Sequence, residues 1–177
     1  MRIESLEIHN FKSLQNVHLK NIPGMAVFVG RNGTGKTTFF DVFGFLNDAF
    51  VADVKIALQA RGGFKEVVSR GQTGDVSFTI QFRPNKNEPL MMYTLAIGLD
   101  AKNMPIVKSE ILHFYRSGNK SPWTVLEFHE GKGFAVEGGL SDYTPEKEGE
   151  RKERTLNSPH ILAVKTLGNL SEFTAVS

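Results

Sequence analysis

Eight residues of this chain have the types and the order needed to hold a polyphosphate. Gly30-Arg31-Asn32-Gly33-Thr34-Gly35-Lys36-Thr37 fits G-x-x-x-x-G-K-[ST] at every required position. Such a loop turns tightly, so that successive backbone N–H groups point inward at phosphate oxygens. Glycine permits the positive φ this needs, and its bare Cα lets an oxygen come close. A helix starting at Lys36 would add its N-terminal dipole, roughly half a positive charge. Lys36 is expected to place an ammonium beside the β- and γ-phosphates and to stabilise their charge. Thr37 offers a hydroxyl to Mg²⁺, and Thr38 can donate to the α-phosphate. Gly30, Arg31, Asn32, Gly33, Thr34 and Gly35 complete the expected polyphosphate contacts.

The elements around the loop must position it. "MAVFVG" at 25–30 is a continuous apolar run, as in a strand buried on both faces. After the glycines, Phe39, Phe40, Phe43, Leu46 and Phe50 recur at helical spacing. Upstream, 3–8 and Leu14–Leu19 read as strands, and Pro23-Gly24 marks a turn. Residues 51–70 continue as helix, then loop around Gly62-Gly63. From 75 the period changes to two. "DVSFTIQF" puts Val76, Phe78, Ile80 and Phe82 on one face, and 90–100, 107–116, 123–131 and 133–139 follow as strands. The last two are separated by a short step near Gly131-Lys132. This predicts an antiparallel meander with one face buried. Residues 141–157 are mostly charged or polar and predict a solvated loop. Apolar character returns from 158.

The expected fold is therefore α/β (α+β), with a mixed sheet around the phosphate loop and an antiparallel β subdomain. It is organised as phosphate-loop core at 1–60, β subdomain at 61–140, charged loop at 141–157 and the start of a further core segment at 158–177.

Bulk properties narrow the class. The 177 residues are 40% hydrophobic, enough for one domain with a core. No cysteine occurs, so disulfides and thiolate zinc sites are excluded. No run of eighteen apolar residues suggests a membrane span, and the N-terminus lacks a signal peptide's apolar core. A cytoplasmic protein is expected. The net charge of +2 neither requires nor excludes nucleic acid. Arg61, Lys65, Arg70, Arg83 and Lys86 scatter positive charge over 61–86. An ordinary solvated surface and a DNA contact are both open readings of it. The histidines at 9, 18, 113, 129 and 160 lack metal-ligand spacing.

No guanine-reading N-K-x-D occurs, which argues against a small GTPase. "IESLEIHNFKSL" followed by "MAVFVGRNGTGKTTFFDVF" resembles the N-terminal ATP-binding lobe of ABC-type AAA-family ATPases of the SMC, RecF and OLD group. The likeness is close over 3–46, with an echo at "VVSRGQTGDVSFTIQF". It implies ATP and Mg²⁺ as ligands and an ATPase as the parent activity. It also implies nucleotide contacts from Phe11, Lys12 and Ser13, with Lys12 near the phosphates or adenine and Ser13 near a phosphate. A polar bend between two strands is the other reading of Asn10 to Ser13. Gln72 is a weak match to the family's Mg²⁺-sensing glutamine.

The second half of such a head is not legible. Leu95–Leu99 leads into Asp100 as a Walker B strand would, but Ala101 follows instead of an acid, so Asp100 reads as structural. "GGLSD" at 138–142 is not a signature sequence. The chain is thus expected to bind ATP rather than turn it over alone. A separate C-terminal ATPase half would complete it. In the whole protein the resemblance implies paired heads, with DNA and a nuclease or effector domain as possible partners, in repair, recombination or phage defence. A non-hydrolysing nucleotide-binding regulator and a small-molecule kinase are the alternatives.

Overall fold

The period-two residues form strands, and those strands form one sheet. A computed structural model describes residues 1–85, 87–115, 122–136 and 152–166. In chain order the strands are β1 (Arg2–Phe11), β2 (Leu14–Lys20), β3 (Val76–Arg83), β4 (Leu90–Leu99), β5 (Pro105–Tyr115), β6 (Trp123–His129), β7 (Lys132–Ala135) and β8 (Lys152–Thr155). They pair in the order β2-β1-β3-β4-β5-β6-β7-β8, every pair antiparallel. The meander from β3 to β7 is as expected. Its β6–β7 turn falls at Glu130-Gly131, both at positive φ, one residue before the predicted step.

Helices cover one face of this sheet. They are α1 (Lys36–Val51), α2 (Val54–Gln59), α3 (Phe64–Val67) and α4 (Ala163–Thr166). Phe39, Val42, Phe45, Leu46 and Ala49 make the buried stripe of α1, at the spacing that seats a helix on a sheet. Phe45 meets Phe11 of β1 at 5.6 Å and Phe78 of β3 at 5.7 Å, and Phe11 meets Phe78 at 5.5 Å. All three are 0% exposed. Each such ring contributes roughly 1.5–3 kcal/mol by leaving water. Asp53 caps α2 by accepting the Ile56 N–H at 2.7 Å.

Residues 158–166 tie the helices to the far half of the sheet. Pro159 O accepts Val107 N–H at 2.9 Å, and His160 O accepts Val54 N–H at 3.1 Å. Lys165 Nζ donates to Val51 O at 2.6 Å and to Ala52 O, satisfying carbonyls at the end of α1. Glu110 of β5 is wholly buried beneath this segment. Its carboxylate accepts from Tyr93 Oη at 3.0 Å, from Val164 N at 3.1 Å and from Ala163 N. Burial pushes the Glu110 carboxyl above its ordinary range, against the lowering effect of those three donors. Burial beside Glu110 likewise pushes the Tyr93 phenol well up.

Two expectations fail here. Residues 25–30 form no strand, and among the described residues no strand pairs with them. Met25, Val27 and Val29 are 83%, 74% and 90% exposed instead of buried on both faces. A strand buried on both faces needs a hydrogen-bonded neighbour on each side and cover above and below; the described residues supply no such neighbour, and they cover only Phe28, whose ring lies 4.4 Å from that of Phe39. The sheet is accordingly all antiparallel, not mixed. The second failure concerns 141–157. Its last part, Lys152–Thr155, is β8 and pairs with β7, because ladder hydrogen bonds hold an edge strand whatever its polarity. Residues 141–151 lie outside the described residues.

Candidate nucleotide-binding site

The phosphate loop sits on the open end of α1. Gly33 and Gly35 hold φ of 84° and 90°, the left-handed conformation that the motif requires of glycine. Gly35 is the N-cap of α1, and no side chain caps it. No acidic residue lies in the first turn. The first intrahelical bond runs from Phe39 N to Gly35 O at 2.8 Å. The N–H groups before it have no intrahelical acceptor, and among the described residues none offers an anion to the positive end of the dipole. Within the loop, Thr34 Oγ1 donates to Arg31 O at 2.9 Å. Lys36 Nζ folds over the loop, donating to Arg31 O at 2.7 Å and to Gly30 O. Arg31, Asn32, Gly33, Thr34 and Thr37 are exposed.

The β1–β2 turn is brought against this loop. Asn10 and Lys12 both take positive φ, 60° and 50°, and make the turn tight. Asn10 is nearly buried and acts as a tie. Its Nδ2 donates to Gly74 O and Asp75 O, and its Oδ1 accepts Ser69 N–H. Phe11 goes into the core, so its ring is not ligand surface. Ser13 Oγ donates to Thr38 Oγ1 at 3.1 Å. Lys12 Nζ lies 2.6 Å from Asp41 Oδ2, one turn along α1 from the two threonines.

Two clefts open beside the loop and share Lys12 and Thr38. The larger, about 1280 Å³, is also lined by Ser13, Phe64, Ser69, Arg70 and Gln72. The smaller, about 550 Å³, carries Thr37, Asp41, Asp48 and Arg61. Gln72 lines the larger cleft, and Thr37, the hydroxyl expected to meet Mg²⁺, lines the smaller. Uncapped N–H groups, two threonine hydroxyls and two ammoniums fit a triphosphate, and the Thr37 hydroxyl fits the cation that accompanies it.

Sequence reasoning missed the centre of the electrostatics. Asp41 is held from two sides, by Lys12 and by Arg61 Nε at 2.9 Å. Arg61 Nη1 also reaches Asp48 Oδ2 at 2.7 Å and Ala57 O at 2.9 Å, and its guanidinium lies 5.3 Å from the Phe45 ring centre. Burial raises the Asp41 carboxyl, but the hydrogen bonds and charges of Lys12 and Arg61 outweigh it and hold it below the usual carboxylate range. Arg61 is therefore a largely buried strut, not a free surface cation. Arg83 pairs with Glu4 at 2.9 Å. Lys65 and Arg70 line the larger cleft, and Lys86 lies outside the described residues. Asp100 ends β4 in a turn, where its Oδ1 accepts the N–H groups of Lys102 and Met104 at 2.8 Å each. The Met104 bond leads the effects that lower its carboxyl. Residues 138–142 lie outside the described residues.

A glycine-rich loop on an uncapped helix, backed by an α/β fold with an antiparallel sheet, has the groups of a phosphate-binding domain. A family model described as an AAA ATPase domain matches residues 1–158, so the chain belongs to that family. Membership implies ATP as the ligand, with Mg²⁺ its usual companion. Among the described residues no helix is long and apolar enough to cross a membrane.

Proposed function

We propose that this chain is the ATP-binding N-terminal lobe of an ABC-type ATPase of the SMC, RecF or OLD kind. The observation that carries the reading is the approach of the β1–β2 turn to the start of α1, Ser13 at Thr38 and Lys12 at Asp41 one turn further on, beside Gly30–Thr37. In this reading the loop N–H groups and Lys36 hold the β- and γ-phosphates, Thr37 holds Mg²⁺, and Thr38 and Ser13 face the α-phosphate side. Bound ATP and Mg²⁺ would supply a γ-phosphoryl centre open to in-line attack by water. The chain's own part is to bind, orient and neutralise charge.

The exposed apolar run at 25–29 supports a division of labour. Met25, Val27 and Val29 have the pattern of an inner strand and the exposure of a surface, while Phe28 packs on Phe39 of α1. A separate ATPase half that pairs with them, and that orients the water, accounts for both. Two such heads would pair, and their engagement would act on DNA in repair, recombination or defence, with a nuclease or effector domain attached. The motif resemblance is the support for this last step.

Titration of the 177-residue chain with a fluorescent ATP analogue and Mg²⁺ tests the reading. Saturable binding that Lys36→Ala abolishes is expected, with no steady-state phosphate release. A clear steady-state rate lost in Lys36→Ala would overturn the proposed division of labour.

A further inference from the structure

We infer that Asp41 is a positioning residue that competes with nucleotide phosphate for Lys12. The inference rests on the nucleotide-binding reading of the loop. Its ground is the way the Asp41 carboxylate is divided. Oδ1 accepts from Arg61 Nε at 2.9 Å, while Oδ2 accepts from Lys12 Nζ at 2.6 Å. The two cations are held very differently. The Arg61 side chain is 10% exposed and is anchored by Asp48, the Ala57 carbonyl and the Phe45 ring. The Lys12 side chain is 31% exposed; among the described residues its ammonium has Asp41 as its one ion-pair partner, and it lies 5.9 Å from the Phe11 ring centre at the edge of aromatic contact.

Arg61 therefore keeps Asp41 in place, and Lys12 can leave without disturbing the core. The Lys12 backbone is also fixed, because its N–H donates to Val67 O at 2.7 Å. Only the flexible stem above it moves. Lys12 lines both clefts that flank Thr37 and Thr38, so a phosphate oxygen bound at the first turn of α1 is within the swing of that stem. Capture of Lys12 by phosphate breaks one partly exposed ion pair and forms another. Asp41 is then a built-in counter-ligand. It holds Lys12 beside the phosphate loop and sets a modest cost on moving it.

This makes the sign of one substitution diagnostic. A carboxylate that merely shapes the site would weaken binding when removed. A carboxylate that competes for Lys12 strengthens binding when removed. Asp41→Asn keeps the shape and still accepts from Arg61. In the Mg²⁺–ATP-analogue titration, Asp41→Asn should tighten binding by about two- to fivefold, the range of a partly exposed ion pair. The gain should vanish in a Lys12→Met background, and circular dichroism should report an unchanged fold. Asp41→Ser, which also removes the charge, should tighten binding in the same way and substitutes where the asparagine variant does not fold. Unchanged or weaker binding, or a gain that persists without Lys12, overturns the inference. Absence of nucleotide binding by the wild-type chain overturns instead the nucleotide reading on which it stands.

Discussion

Tyr93 and Glu110 lie diagonally across neighbouring strands, the phenol donating to the carboxylate at 3.0 Å inside the core. The same carboxylate accepts the N–H groups of Ala163 and Val164, so one buried acid joins the sheet to the segment that closes over it. Burial raises the Glu110 carboxyl above its ordinary 4.5. A raised acid binds its proton more tightly folded than unfolded. Its contribution to stability is therefore fully present below the ordinary pKa and is lost as pH rises through the folded one. We predict that wild type shows this loss above about pH 4.5 and that Glu110→Gln lacks that part of the slope. The variant should also be about 1–3 kcal/mol less stable, because its NH₂ must oppose a buried N–H donor. Denaturant unfolding of both proteins at a series of pH values measures the difference. Parallel pH profiles would refute the assignment.

The loop glycines separate two costs. Gly33 and Gly35 both hold positive φ, but a Cβ on Gly33 meets open space. On Gly35 it would lie 3.2 Å from Ser13 Oγ and 3.3 Å from Leu14 Cδ2. Gly33→Ala should carry backbone strain alone, about 1–2 kcal/mol. Gly35→Ala should carry that strain and also push the β1–β2 turn off α1. We expect the second variant to melt lower than the first, and thermal unfolding of the pair checks this. Equal midpoints would mean that the turn moves freely.

The three phenylalanines at the α1–sheet contact predict where stability resides. Phe45→Ala removes the ring shared by Phe11, Phe78 and the Arg61 guanidinium. A loss of about 3–5 kcal/mol is expected for such a buried ring. Phe40→Ala, on the same helix but 59% exposed, should cost far less, within about 1 kcal/mol. Urea unfolding of the two variants gives the ratio directly.

What the sequence made legible follows from range. Strand alternation in 76–82 and the Phe39–Phe43–Leu46 spacing in α1 are local signals, and both elements form where they predict. The phosphate loop is a contiguous motif, so its positive φ at Gly33 and Gly35 was readable too. Asp41 was not, because its partners Lys12 and Arg61 lie 29 and 20 residues away, and no local pattern links them. Arg61 read as surface charge for the same reason. Its sequence neighbours are Ala60 and Gly62, which point to no partner for it, while its structural neighbours are Asp48 and Phe45. β8 was missed because its four charged or polar residues carry no apolar period. Only the β7 ladder reveals it.

The run at 25–29 is the sharpest disagreement, and one substitution decides what it means. Its apolar residues predict a buried inner strand, yet Val29 is 90% exposed. Were Val29 packed in a core, Val29→Lys would bury an unpaired ammonium and cost several kcal/mol. At an exposed position the same change should alter stability by no more than about 0.5 kcal/mol. We expect the small value in the 177-residue chain, measured by urea unfolding. The proposed second half adds a further expectation. If an added ATPase half pairs with 25–29, Val29→Lys should weaken that association while leaving the isolated chain's stability as it was. Association is read by analytical ultracentrifugation of the two halves. A large loss of stability in the isolated chain would show instead that the run is already buried, and would remove the ground for a partner there.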